Sequence, residues 1–480
     1  MTVYEPVIGL EIHIQLLTKS KAYSSDSASF GAHPNSNVSV ISLGHPGTLP
    51  RINKRSIEFA VKLGLACGCD IRRENQFARK NYFYADLPKG YQITQDKTPI
   101  CNGGAIRFKM AGIEKSINIT RIHLEEDAGK SMHDQDPFDS LIDLNRAGVP
   151  LLEMVSEPEI RSSEEAGAYL TEVRKLVRYL DICDGNLEEG SMRCDANISI
   201  RPVGTTAFGT KVEVKNMNSI RNVQRAIEYE IKRQTEALEA GQNLTQETRS
   251  FDAVNGSTFS LRSKEAANDY RYFPEPDLNP VIVDSAYIEQ VRAAMPELPE
   301  SLFRRFTQTY GLSEYDAAVL IENKLIALYY NKLCSLTANY KAAANWMNGP
   351  VKSWLNENGL ELDEFPLQTE ALAELIEIID SGKISFSTAS QRVFPILVQN
   401  PDRRAIDIAQ ENNWIQENNT DELNTWIAEA ISRYPEKVKE YQSGKTGLIG
   451  LFMGEVMKLS KGKADPKVTN QLVQKALENA

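Results

Sequence analysis

The sequence is short of several things, and each shortage removes a class of function. No apolar run approaches the roughly 18 residues that a membrane-crossing helix needs, so membrane embedding is not expected. The stretch from Met1 to Leu10 has no basic segment followed by an apolar core, which argues against a secretory leader. Cysteine is scarce, 6 in 480 residues, and follows no disulfide framework. A reducing, cytoplasmic setting is the expectation. Cys67 and Cys69 have no second pair at zinc-finger spacing, and the 5 histidines form no His-Glu-x-x-His pattern. There is no Gly-x-Ser-x-Gly elbow. Gly444-Lys445-Thr446 has the look of a phosphate-loop ending, but Lys439 stands where the first glycine is required.

What is present is an ordinary globular composition, 41% hydrophobic and 25% charged, sufficient for a large core. The net charge of −11 weighs against wholesale coating of nucleic acid, although affinity follows local patches more than totals. One such patch lies between Arg433 and Lys475, where 9 Lys or Arg stand against 4 acids.

The pattern changes along the chain. Residues 1–292 alternate short β-type runs with Gly/Pro/Asn loops and a few helices, 293–403 read as helical, and 404–480 as a small helical tail. This predicts an α+β N-terminal domain with a mainly antiparallel sheet, then an all-α domain and an all-α tail. The prolines between Pro274 and Pro280 are expected to exclude regular structure, and Asn400-Pro401-Asp402 separates the last two parts. Ser162 and Glu165 offer a capping box for a helix with a stripe at Ala166, Leu170, Val173, Leu176, Val177 and Leu180. A second helix is expected from about Ser219 to Ala240, with Ile220, Val223, Ile227 and Ile231 on one face. Arg221, Arg225, Glu228 and Lys232 would lie on a solvated face.

Several predicted strands separate an apolar face from a polar one. From Val7 to Leu16, alternation puts Ile8, Leu10, Ile12, Ile14 and Leu16 on one side and Glu11, His13 and Gln15 on the other. From Arg193 to Arg201 it separates Cys194, Ala196, Ile198 and Ile200 from Arg193, Asp195, Asn197, Ser199 and Arg201. Lys211, Glu213 and Lys215 alternate with valines; Leu151, Glu153, Val155 and Glu157 share a face; Ile119 to Asp127 ends in three acids. Acids facing one another across strands repel, and a bound cation is a usual remedy. Carboxylates with one imidazole suit Mg²⁺ or Mn²⁺ better than zinc. Spacing alone leaves open whether these strands converge. The segments Arg79–Gln92 and Asp269–Asp277 combine cations with aromatics, equally suited to phosphate or base contacts and to packing.

These motifs together resemble the B subunits of the tRNA-dependent amidotransferases. The matching segments are Val7–His13, Pro46–Pro50, Arg79–Tyr84, His123–Lys130, Asp143–Arg146, Glu153–Pro158, Glu189–Asn197 and Asp269–Asp277. The resemblance spans nearly the whole chain, and the Cys67/Cys69 neighbourhood lies outside it. It implies an N-terminal cradle-like catalytic domain in an ATP-dependent ligase that forms a carbon–nitrogen bond with glutamine as amido donor. The side-chain carboxylate of Glu or Asp on misacylated tRNA(Gln) or tRNA(Asn) would be phosphorylated and then amidated. The implied partners are an amidase A subunit supplying ammonia, a small C subunit and the tRNA, with no membrane; ATP and Mg²⁺ are the implied cofactors. Carried over by motif, Glu11, His13, Glu126, Glu153 and Asp195 are the metal candidates, with Glu125 behind them. Glu126, Lys80 and Glu153 are the catalytic candidates; Arg79, Lys80, Lys89 and Asn197 would hold the nucleotide, and Arg79 and Lys80 are also candidates for the ammonia path. The tail would hold tRNA, with Lys458, Lys461 and Lys463 as phosphate contacts. A non-catalytic tRNA-binding scaffold and a free-standing ligase for a small carboxylate are the competing readings. Which aminoacyl-tRNA is the substrate is not written in the sequence.

Overall fold

The computed structural model describes residues 2–133, 135–263, 270–415, 420–460 and 464–479. The chain divides into two compact units, Met1–Leu298 and Pro299–Ala480. Among the described residues no helix is long and apolar enough to cross a membrane.

The first unit is built on a 10-stranded sheet whose centre is the strand Tyr4–Gln15. It pairs antiparallel with Pro150–Ser156 on one side and Met192–Pro202 on the other. Ile113–Glu126 follows beyond Pro150–Ser156, and Val212–Met217 beyond Met192–Pro202. Farther out, Glu247–Asp252 runs parallel to its neighbour Val212–Met217, the one parallel pairing among the described residues. The sheet is therefore mainly antiparallel, as the alternating pattern predicts.

Its hydrophobic face explains its order. Ile8, Ile12 and Ile14 are wholly buried, and they share a core with Ala166, Leu170, Val173 and Val177 of the helix Ser163–Tyr179 and with Val223 and Ile227 of the helix Ile220–Glu239. The ladder between Pro150–Ser156 and Ile113–Glu126 slips at a bulge between Val155 and Ser156, and towards the central strand the Ser156 hydroxyl accepts from the Leu10 N–H at 2.9 Å.

Both predicted helices form, with differences in detail. Ser162 caps the first by accepting from the Glu165 N–H at 3.1 Å, but the Glu165 carboxylate reaches one residue farther back, to the Arg161 N–H. In the second, the inward stripe also carries Glu230 and Gln234, fully buried. Arg233 and Arg249 pair with Glu230, so its charge is compensated inside the fold. Nor is Arg225 simply solvated: its guanidinium lies 5.5 Å from the centre of the Phe251 ring. The proline-rich segment is not wholly irregular. Phe273–Pro274 forms a two-residue edge strand against Ala78–Asn81, where among the described residues no strand lies beyond it to need the missing N–H.

The second unit is helical among its described residues. Its last four helices, Thr420–Arg433, Pro435–Gln442, Ile449–Leu459 and Pro466–Asn479, share a core of their own around Leu423, Ile427, Phe452, Val456, Val473 and Leu477.

Ser162→Ala is expected to destabilise the first turn of Ser163–Tyr179 by about 1 kcal/mol. Faster amide hydrogen exchange at Glu165 would register it, and unchanged exchange would remove the cap from the account.

Candidate functional site

The register of the sheet decides which polar residues meet. His13 is opposite Glu153 on one neighbour and Arg193 on the other, and Glu153 is in turn opposite His123. Glu11 is opposite Asp195, and Leu151 opposite Glu125. The polar faces of four strands thus merge into one surface, opposite the face that holds the core.

On that surface His13 is the hub. Its Nε2 lies 3.7 Å from Glu11, 3.8 Å from Glu125 and 3.5 Å from Glu153. Two sets of side chains each bring their donor atoms within 4.8 Å of one another: Glu11, His13 and Asp195, and His13, Glu125 and Glu153. His13 belongs to both.

Such crowding has an electrostatic cost, and the protonation pattern shows how it is met. Burial disfavours a charged imidazole, yet the hydrogen bond with Glu153 and the charges of Glu125 and Glu153 outweigh it, raising His13 to about 9. Glu153 is lowered to about 2: His13, His123 and Arg121 together overcome its burial. The Glu11 carboxyl is pushed up by burial and by Glu153, only partly offset by His13. At the border, Lys215 contacts Asp195 closely and approaches Glu213 at 3.2 Å. Asp127 is buried but held below the usual carboxylate range, because Arg193 and Arg146 outweigh its desolvation. Its oxygens accept from Arg193 at 3.0 Å and Gln15 at 2.7 Å.

Of the remaining predicted residues, Asn197 stays on this polar face two positions beyond Asp195, and the others go elsewhere. Glu126 follows Glu125 but points to the opposite side of its strand, where it accepts from the Ile93 N–H at 2.9 Å and contacts Lys89. With Lys21, Tyr23, Lys89, Gly148 and Asp277 it lines a separate pocket. Arg79 is engaged by Glu275 through two hydrogen bonds, at 2.7 and 2.8 Å, and by Asp277 at 3.1 Å. Lys80 lies 4.8 Å from the centre of the Tyr270 ring. Asn197 is opposite Gly9 and Glu213. In the tail, Arg433, Lys437, Lys439 and Lys445 are paired with glutamates, which spends part of the basic patch internally. Lys461, Lys463 and Asp269 lie outside the described residues.

Sequence reading passed over His123. It is buried, 3.7 Å from Glu125 and 3.9 Å from Glu153, and its Nδ1 has no hydrogen-bond partner among the described residues. The signal was available: Arg121, His123 and Glu125 alternate on one face.

Comparison with known proteins gives consistent matches. A family model described as the GatB/GatE catalytic domain matches residues 6–289, and a second, described as the GatB domain, matches 328–477. The chain is 48% identical over 475 residues to a protein of Thermodesulfovibrio yellowstonii, covering 99% of each. A protein of Syntrophotalea carbinolica is 48% identical over 474 residues, covering 99% of this chain and 98% of its own. One of Chlorobium chlorochromatii is 48% identical over 475 residues, covering 99% of each. All three are named as the B subunit of an aspartyl/glutamyl-tRNA(Asn/Gln) amidotransferase.

An imidazole raised from 6.5 to about 9 contributes its full stabilisation below pH 6.5 and loses it as pH rises through 9. The His13 and Glu153 shifts describe one interaction and do not add. In chelator, the unmutated protein is expected to lose up to roughly 3 kcal/mol more than His13→Gln across that window. Unfolding curves of both proteins at several pH values would measure this; a constant difference between them would show that His13 is not protonated in the fold.

Proposed function

The chain belongs to the GatB family, and from that premise we propose that its acid-lined sheet face is where the side-chain carboxylate of a misacylated tRNA is activated. The protein is the B subunit of an aspartyl/glutamyl-tRNA(Asn/Gln) amidotransferase, a glutamine-hydrolysing, tRNA-dependent ligase. On this reading an amidase A subunit supplies ammonia, a small C subunit completes the complex, and the assembly works in the cytoplasm. Residues 1–292 form the catalytic part, 293–403 a helical part, and 404–480 the tail that holds tRNA.

The observation that carries the proposal is the convergence of Glu11, Glu125, Glu153 and Asp195 around His13. The donor set fits a hard divalent cation: oxygen-rich, with one imidazole. The same carboxylates raise His13 to about 9, so the face favours a positive charge at its centre. Mg²⁺ held by these residues would neutralise charge on the phosphates of ATP.

The chemistry then follows from what a carboxylate lacks. Its leaving group would be oxide, so it is a poor acyl donor. Attack of the carboxylate oxygen on the γ-phosphorus of ATP displaces ADP and leaves an acyl phosphate. Ammonia attacks the acyl carbon, phosphate departs, and the amide remains after loss of a proton. Phosphoryl transfer asks the protein mainly for positioning and charge balance. On this reading the Lys80 ammonium, beside the Tyr270 ring, meets a phosphate of the tRNA end that brings the carboxylate in. Arg79 supports that site indirectly, because Glu275 and Asp277 hold it in place. Lys89 and Glu126 have one another as partners, and they serve the adjoining pocket on this reading.

Glu11→Ala and Asp195→Ala are expected to abolish tRNA-dependent ATP cleavage while leaving tRNA affinity within about threefold, since neither carboxylate attracts an anion. Full ATP cleavage by either variant would return the scaffold reading. Ending the chain at residue 415 removes the four tail helices with their own core. The truncated complex should bind tRNA more weakly and with a shallower salt dependence. Unchanged affinity and salt dependence would take tRNA away from the tail.

A further inference from the structure

The ribbon beside the acid face has two sides of different character. The strand Ala78–Asn81 pairs with Tyr91–Thr94 and with Phe273–Pro274. One side is structural: the Arg79 guanidinium lies 4.2 Å from the centre of the Tyr91 ring and 5.7 Å from that of Phe273, and is held by Glu275 and Asp277. The other side carries Lys80 and a chain of tyrosines in edge contact. Tyr84 meets Tyr82 at 5.7 Å between ring centres, Tyr82 meets Tyr270 at 6.3 Å, and Tyr270 meets Tyr272 at 6.0 Å. The Lys80 ammonium sits 4.8 Å from the centre of the Tyr270 ring and 5.9 Å from that of Tyr82. Among the described residues it has no carboxylate partner.

This tyrosine side is fastened to the strand that supplies His123 and Glu125. Gln92, opposite Lys80, donates to the Glu126 carbonyl at 2.7 Å, and the Gly129 N–H donates to the Asp86 carbonyl at 2.8 Å. The field of the acids reaches the rings. Burial pushes the Tyr82 hydroxyl up, and Glu125, Asp86 and Glu126 push it farther. Tyr272 rises to about 12 through burial, Asp96, Tyr270, Glu153 and Glu125.

Packing does not account for the outer end of the array. Phe83 is 89% exposed, Tyr84 60% and Tyr272 42%. A site for a small nucleotide is usually enclosed. A single-stranded nucleic acid is held differently, by successive aromatic faces with a cation for its backbone, on a surface it can enter and leave.

We propose that Tyr82, Phe83, Tyr84, Tyr270 and Tyr272 form a stacking platform for the unpaired 3′ bases of the tRNA acceptor end, with Lys80 meeting the terminal phosphate and the aminoacyl group delivered to the acid face. The inference rests on the function proposed above and adds which residues guide the substrate in. Tyr84 and Phe83 act by stacking on bases and touch no reacting atom.

The test uses the assembled amidotransferase with Phe83→Leu, Tyr84→Leu and the double variant; the exposure of both rings makes the fold tolerant, which a thermal midpoint checks. The double variant is expected to raise KM for misacylated tRNA by about tenfold or more, with KM for ATP and kcat at saturating tRNA within about twofold. Tyr84→Trp should keep the KM of the unmutated complex. A tRNA KM within about twofold of the unmutated complex would overturn the platform. So would a rise confined to KM for ATP, which would assign the rings to the adenine of ATP. Absence of tRNA-dependent amidation in the unmutated complex would overturn the underlying function as well, so the two failures are told apart.

Discussion

Everything at the site depends on the register of one strand. Tyr4–Gln15 is buried on one side by isoleucines and leucine, and a slip of one residue would turn that set outward and carry Glu11 and His13 into the core. The penalty fixes the pairing with both neighbours. Because the pairing is fixed, His13 faces Glu153 and Arg193, and Glu11 faces Asp195. Hydrophobic burial on one face thus sets the position of charge on the other.

The charge so placed is balanced in layers. At the centre, Glu153 and Glu125 favour a charged imidazole at His13 despite its burial. Around them, Arg193 and Arg146 serve Asp127, Lys215 serves Asp195, and Arg121 approaches Glu153 at 3.6 Å. The outer pairs are settled within the protein. The inner group has no such fixed cation: its positive charge is carried by an imidazole, and on the proposed function a metal would compete with the proton for it.

Much of this was legible in the sequence, and the limits have physical reasons. Alternation alone placed Glu11 and His13 on one face and Asp195 on another strand's polar face, and the stripes of both early helices were plain. Convergence was not legible, because the central strand's partners lie more than a hundred residues away and spacing does not encode strand order. Glu125 and Glu126 differ by one position and so point to opposite faces, a distinction that motif resemblance blurs and alternation keeps. For Arg79 the segment left phosphate contacts and packing equally open, and the partner that engages it, Glu275, is 196 positions on. The tail's lysines were countable, whereas their pairing with glutamates requires the helices to be folded together. Glu230 shows the same limit in reverse: a glutamate on an otherwise apolar stripe makes sense only once Arg233 and Arg249 are seen beside it.

The wide separation of the central partners also has a consequence in time. Tyr4–Gln15 is made first, but its second neighbour, Met192–Pro202, is made much later. At synthesis rates of about 5 to 20 residues per second, roughly 10 to 40 seconds pass before that neighbour has been built. For that interval an isoleucine-rich strand has an open edge, and the emerging chain carries an aggregation hazard that the finished protein does not. The surface that gathers the charges therefore cannot form until Met192–Pro202 has been made, and its first strand waits through that interval with an edge unpaired.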